Sequence, residues 1–292
     1  MPRTKAVRPR FAQLTLDFIF KKVFASESEQ SRKFLISLIE SFLGEYLQDK
    51  IKKIQLLPNE RGSKSRKHRA AIFDLHCTDN NGNRFVVEMQ IAKQDFFMGR
   101  ILFYLGATIT GIVKKGREYK FDMPKIYSLS FLNFEPDLEA GDSDIVHHIG
   151  LANLKHPEKR QSNIHLALVV LPRFKKTLEQ CKTTFDLWLY LFNNLHKLDE
   201  IPAMFRKSKF RGVFKIAEIS NFTEDELRNY EAVMKYADVY NATIAYAKKE
   251  AFGEGDKSGF GRGATHVLKL VDQGYSSAQI KRMLSKKAAV CV

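Results

Sequence analysis

Cysteine is scarce: Cys77, Cys181 and Cys291 are the three in 292 residues, far apart and without a CxxC pair. That excludes a disulfide framework or a thiolate zinc site and suits a reducing compartment, so a cytoplasmic location is expected. No run of about 18 apolar residues occurs, which argues against a membrane-spanning helix. Met1–Arg10 is basic, but Asp17, Lys21 and Lys22 break the apolar pattern that follows, so the start does not read as a signal peptide. There is no GxGxxG, no P-loop and no locally supported Ser, His and Asp order for a hydrolase triad. The glycines at 253–263 follow no strand and make no phosphate cradle. Acidic residues are in deficit, 33 Asp plus Glu against 48 Lys plus Arg, leaving a formal charge of +15. Such a surplus points to a polyanionic partner: DNA, RNA or an anionic membrane surface. Apolar residues are not in deficit; at 44% of the chain they exclude global disorder.

Leu16, Phe20 and Phe24 recur at helical spacing and predict a helix over 14–24, and Phe34, Leu35, Leu38, Ile39 and Phe42 predict another over 31–43, stopped by Gly44. Residues 51–57 (IKKIQLL) read as a strand before Pro58, and 59–67 as a polar, basic loop. A helix is expected over 94–115 and strands over 124–134 and 164–171, the last nearly all apolar as a buried central strand is. After Pro172 the pattern turns helical. Residues 185–195 are apolar and aromatic, Thr223 with Glu226 opens a helix through about Lys249, and 276–285 is a short amphipathic helix. The expected division is a basic arm (1–13), an α/β core (14–200), a helical extension (201–252) and a Gly-interrupted tail (253–292). The C-terminal helices could drive homo-oligomerisation.

The most informative stretch is 70–91. Two strand-like runs, AAIFDLHCT and NRFVVEMQI, flank Asp79-Asn80-Asn81-Gly82, a hairpin signal. A loop of residues 80–82 pairs 79 with 83, and carrying that register back pairs 78 with 84, 76 with 86 and 74 with 88. Asp74 and Glu88 then become cross-strand neighbours, about 5 Å apart at Cβ. Alternation puts Phe73, Leu75, Cys77, Phe85, Val87, Met89 and Ile91 on a core face. The opposite, polar face carries Asp74, His76, Thr78, Arg84, Val86, Glu88 and Gln90.

Two facing carboxylates repel unless a cation sits between them. Mg²⁺ or another divalent cation takes oxygen ligands of this kind, commonly one or two carboxylates with substrate phosphate. Asp74 and Glu88 supply the pair and the Met89 carbonyl a third oxygen, while Gln90, on the same face, could orient a water toward phosphorus. Arg61, Lys64, Arg66, Lys67 and Arg69, clustered just before the hairpin, would hold flanking phosphates by charge without reading sequence. His76 shares the face as a neighbour of the acids. His147 and His148 are adjacent, point apart on a strand, and do not make a joint metal site.

These residues also resemble a known family. Asp17-Phe18-Ile19-Phe20-Lys21 is similar to the D-x-x-F-K opening of the recombination-promoting nuclease and transposase family, within the PD-(D/E)XK nuclease superfamily. Asp74 resembles its first core acid. Glu88-Met89-Gln90 resembles its E-x-Q, in which Gln stands where the superfamily usually has Lys. Phe97, Arg100 and Tyr104 resemble its F-x-x-R-x-x-x-Y helix, Gly116–Tyr119 and the strand from Pro124 the segment after it, and Leu171-Pro172-Arg173-Phe174 its L-P-K-F element. The likeness runs over about residues 14–200. It implies a restriction-endonuclease-like α-β-β-β-α-β core with a mixed sheet, a metal-dependent DNA endonuclease activity, and a role in recombination or mobile elements. It also implies Asp74 and Glu88 as metal ligands, with Gln90 in the place of the lysine. Asp17 reads either as a further site acid or as a helix-start acid. Arg100 and Tyr104 read as phosphate contacts or as a packed pair over the sheet. Lys21, Arg66, Lys67 and Arg69 complete the expected nucleic-acid contacts. Gln90 brings no charge of its own, which leaves open a rival reading as a nuclease-fold DNA-binding protein without catalysis, and a ribonuclease differs from the endonuclease only in substrate.

Overall fold

The computed structural model describes residues 9–61, 71–93, 96–112, 123–136 and 142–235. Outside them lie Lys64, Arg66, Lys67 and Arg69, the segment 113–122, most of the helix expected through Lys249, and the tail with its 276–285 helix.

The first helical stripe forms α1 (Asp17–Phe24), which buries Ile19, Phe20, Val23 and Phe24. α2 (Glu29–Leu43) starts at Ser28, whose hydroxyl accepts the Ser31 N–H at 3.1 Å and satisfies one of the helix's unpaired donors. Gly44 does not stop the chain in the left-handed region. Its φ is −52° and it leads into a 3₁₀ turn, Gly44–Tyr46. The remaining elements are β1 (Ile54–Leu56), β2 (Glu60–Arg61), β3 (Ala71–Ile72), β4 (Leu75–Asp79), β5 (Arg84–Gln90), α3 (Phe97–Ile112), β6 (Ile126–Leu132), β7 (Val146–Asn153), β8 (His156–Val170), α4 (Thr184–Asn194), α5 (Ala203–Arg206) and α6 (Arg211–Ala217).

Six strands form one mixed sheet in the order β1-β4-β5-β6-β8-β7. β5, β6 and β8 run parallel, and the β1–β4, β4–β5 and β7–β8 pairs are antiparallel. The α-β-β-β-α-β order expected for a restriction-endonuclease-like core is therefore present. Two readings need correction. Residues 59–67 are not wholly loop, because Glu60–Arg61 pairs with Ala71–Ile72 in a two-stranded ribbon. The strand β7 was not anticipated; it is an edge strand, half-buried to exposed along its length, and so lacks the apolar alternation that marks a buried one.

Helices cover both faces. On one, α2 and α4 send Phe42 and Phe192 against Phe131 of β6, ring centroids 5.1 and 4.7 Å away, while Trp188 packs among Phe24, Phe34 and Phe210. On the other, Ile101 and Leu105 of α3 pack on Ile126, Leu132, Leu166 and Leu168. Residues 10–12 are tied to the turn after α6. The Ala12 N–H donates to the Ala217 carbonyl at 2.8 Å, the Ile219 N–H to that of Arg10 at 3.0 Å, and Phe11 is fully buried. A second compact unit begins at Glu224, and its residues 224–235 are helical.

The hairpin register is as expected: Thr78 faces Arg84, Cys77 faces Phe85, His76 faces Val86 and Leu75 faces Val87. Asp79 holds the turn with its own carboxylate, accepting the N–H groups of Asn81 and Asn83 at 2.9 Å each. Gly82 alone in the turn takes a positive φ, +83°, and a Cβ there would meet nothing within 4 Å. Gly82→Ala is therefore expected to cost about 1 kcal/mol through backbone strain without a clash. A denaturant midpoint shift of that size at unchanged m-value checks it.

Candidate active site

Alternation along residues 70–78 fails at one point, and the failure builds the site. β3 ends at Ile72, and the chain bends at Asp74 before β4 begins. Asn59 secures the bend: its carbonyl accepts the Phe73 N–H at 2.8 Å and its amide donates to the Asp74 carbonyl at 3.2 Å. Phe73 was expected on the core face with Leu75 and Cys77. The bend resets the parity and turns it to the α3 face, where it packs with Ala71, Val86 and Tyr104.

One step beyond the Leu75–Val87 pair, Asp74 and Glu88 meet. The Asp74 N–H donates to Glu88 Oε1 at 3.1 Å, and the Met89 N–H donates to Asp74 Oδ2 at 2.8 Å. Strand geometry turns a residue's N–H and carbonyl to the same side, so the Met89 carbonyl faces the edge where Asp74 stands. The polar face is not open to solvent along β5. It is dry: α3 lies over it, and His76 is fully buried, with Glu88 4% and Gln90 8% exposed.

Gln90 links the acids to α3. Its Nε2 donates to Glu88 Oε2 at 3.2 Å and its Oε1 accepts from the Arg100 guanidinium. The arginine's charge thus reaches the acid pair through a neutral amide. Tyr104, one turn along α3, stacks edge-on to Phe73 at 5.2 Å. Asp17 and Lys21 form an exposed i,i+4 ion pair at 2.7 Å on α1. Asp17 acts on Asp74, and Lys21 on both acids, through charge rather than by direct bonds. Ser130 went unnoticed in the sequence. It sits beside Glu88 in the β5–β6 register, is fully buried, and its hydroxyl has no hydrogen-bond partner among the described residues. The signal was Ser128 and Ser130 on one face of an otherwise apolar strand, IYSLSFL.

The electrostatics follow from burial. Glu88 is pushed up to about 8, first by burial and then by the charge of Asp74, against the Asp74 N–H, Arg100 and Lys21. Asp74 is also raised, chiefly by burial and further by Asp17, while the Met89 N–H, Lys21 and Arg100 pull it down. Two carboxyls that resist ionising together form a seat with too little positive charge, which a cation corrects. The donors are hard oxygens, and Asp74 Oδ1 accepts no hydrogen bond from the described residues. The set fits a small divalent ion completed by water and phosphate. It is not an all-protein cage, because no three His, Cys, Asp or Glu side chains among the described residues converge as ligands. Also among the described residues, no helix is long and apolar enough to cross a membrane.

The family model for PD-(D/E)XK nuclease family transposases matches residues 14–247, from the segment before α1 past the start of the second unit. No match to the chain is found among curated proteins or among solved structures. The matched span holds the whole mixed sheet, the hairpin with its two acids and the helix that covers them, and the chain belongs to the PD-(D/E)XK nuclease family of transposases.

Proposed function

We propose that the protein is a metal-dependent DNA endonuclease that hydrolyses phosphodiester bonds, acting in DNA recombination or the movement of genetic elements. The observation that carries this is the Asp74–Glu88 pair, one carboxyl half-buried and the other buried, held together across a hairpin by hydrogen bonds from main-chain N–H groups. Such a pair is costly without a cation. Asp74, Glu88 and the Met89 carbonyl would hold Mg²⁺ or a similar ion. Bound there, the ion would polarise the phosphate and offset the charge that develops on it.

The chain's own groups do the rest. Gln90, clamped between Glu88 and Arg100, fixes the orientation of the Glu88 carboxylate. Arg100 supplies, through that amide, positive charge that a lysine at position 90 would bring directly. Lys21 adds a partly exposed charge near Asp74, and Arg66, Lys67 and Arg69 would neutralise flanking phosphates. Asp17 tempers Lys21 through their ion pair.

The test is nicking of supercoiled plasmid by the full chain. Activity is expected with Mg²⁺ or Mn²⁺, is lost on chelation and returns when the ion is restored. A folded RNA run in parallel should survive. The rival, a nuclease-fold protein that binds DNA without cutting it, draws on the neutral Gln90. It predicts salt-sensitive binding and no nicking with any ion.

A further inference from the structure

A cavity of about 450 Å³ opens near the carboxyl end of β6, away from the acids. Asn133, the residue after β6, lines it from the sheet, and Phe192 lines it from α4, on the helical layer opposite α3. The Asn133 N–H donates to the Gln90 carbonyl at 2.8 Å, so the cavity and the acid site share the end of one strand pair.

Its lining is basic. Lys175, Lys176, Lys197 and His196 contribute, and no carboxylate does. Lys176 is paired at 2.7 Å with Asp186, which also accepts the N–H groups of Lys182 and Thr183 at 3.0 and 3.1 Å. Lys197 reaches only the neutral Asn194 amide oxygen, at 3.2 Å, and Lys175 has no ion pair among the described residues. Two lysine charges thus face the cavity without an acid to neutralise them. His196 Nδ1 is buried with no hydrogen-bond partner among the described residues. Phe174 and Phe192 supply an apolar wall.

Lysine charges without an acid, beside the amides of Gln13, Asn133, Asn193 and Asn194, in a space of this size match a phosphate group. We propose that the cavity holds one phosphate group of the nucleic-acid strand, at a distance from the point of cleavage. This rests on the nuclease reading for its biological sense, although the binding itself does not require catalysis.

The experiment measures fluorescence anisotropy of labelled oligothymidylate on the full chain without divalent ions. The double variant Lys175→Gln/Lys197→Gln is expected to bind the strand at least about tenfold more weakly, the loss of about 1.4 kcal/mol from two charge-assisted contacts. Lys33→Gln/Lys52→Gln removes the same charge elsewhere and is expected to change affinity less than about threefold. Equal losses in the two double variants would overturn the proposal. Competition separates the sources of phosphate. If thymidine monophosphate or inorganic phosphate displaces the strand at the strand's own affinity, the site takes a free anion and the strand assignment fails. Binding is read without divalent ions and without cleavage, so a failure of the acid-site chemistry leaves this readout intact.

Discussion

Glu88→Gln lowers the rate of plasmid nicking by at least about 10³-fold and at the same time stabilises the metal-free protein at pH 8. The two effects have one origin. Glu88 is buried beside Asp74, and its carboxyl is pushed up to about 8 from an ordinary value of 4.5. Below about pH 4.5 it is protonated folded or unfolded and costs nothing. As pH rises from there to about 8, the unfolded chain ionises while the folded chain holds its proton, so the folded state binds more protons and stability falls with pH. Glutamine has no proton to lose. The stability gap between variant and parent is therefore expected to be near zero at acid pH and to grow, toward a few kcal/mol, as pH approaches 8. Adding Mg²⁺ reverses the order, because only the parent gains the binding free energy, about 2.7 kcal/mol when the ion is at 100 times its Kd. Asp74→Asn keeps an acceptor for the Met89 N–H and should lose cleavage to a similar extent with little loss of fold. Thermal denaturation across pH, with and without the ion, reads the stability effects, and plasmid nicking reads the rates. A Glu88→Gln protein that still nicks DNA, or a parent with no ion-dependent rise in Tm, would remove the basis of the assignment.

Much of this site was legible in the chain because a tight turn transmits register. Once Asn81-Gly82 fixed the loop, counting back along two strands brought residues 74 and 88 together, and the register up to Leu75–Val87 with the Asp74 N–H on the Glu88 carboxylate agrees with the count. What counting could not show was the environment. Alternation assigns a side chain to a face but not what lies over that face, and α3 makes the polar face of β5 dry. Nor could periodicity foresee the bend at Asp74, because the Asn59 bonds that hold it come from 14 or 15 residues away. Phe73 changed sides for that reason. Ser130 was hidden differently: a serine in an apolar strand stands out only once the neighbouring strand is known to carry Glu88. β6 and the second half of β8 were plain from their apolar runs, whereas the polar first half of β8, from His156, was not. The edge strand β7, half in water, was not.

Arg100→Met is expected to slow cleavage by about 10²-fold and to move the acid limb of the pH–rate profile upward. Two readings of Arg100 were open in the sequence, a phosphate contact and a packed residue over the sheet. Its bond to Gln90 Oε1 adds a third role, in which it acts on the acids through the amide. The guanidinium pulls the carboxyls of both Asp74 and Glu88 downward, against their burial. Without it, Glu88 rises further and a smaller fraction is ionised near neutrality, so activity needs a higher pH. Gln90 also loses the partner on its oxygen and is free to turn its amide away from Glu88. Arg100→Lys restores a charge but not the planar fork, and so should recover the pH midpoint more fully than the maximal rate. A residue that merely packs would leave the midpoint unmoved in both variants. A residue that only contacts phosphate would weaken DNA binding without moving it. Single-turnover rates from pH 6 to 9, at saturating DNA and ion, distinguish the three roles, and an unshifted midpoint in Arg100→Met would discard the relay through Gln90.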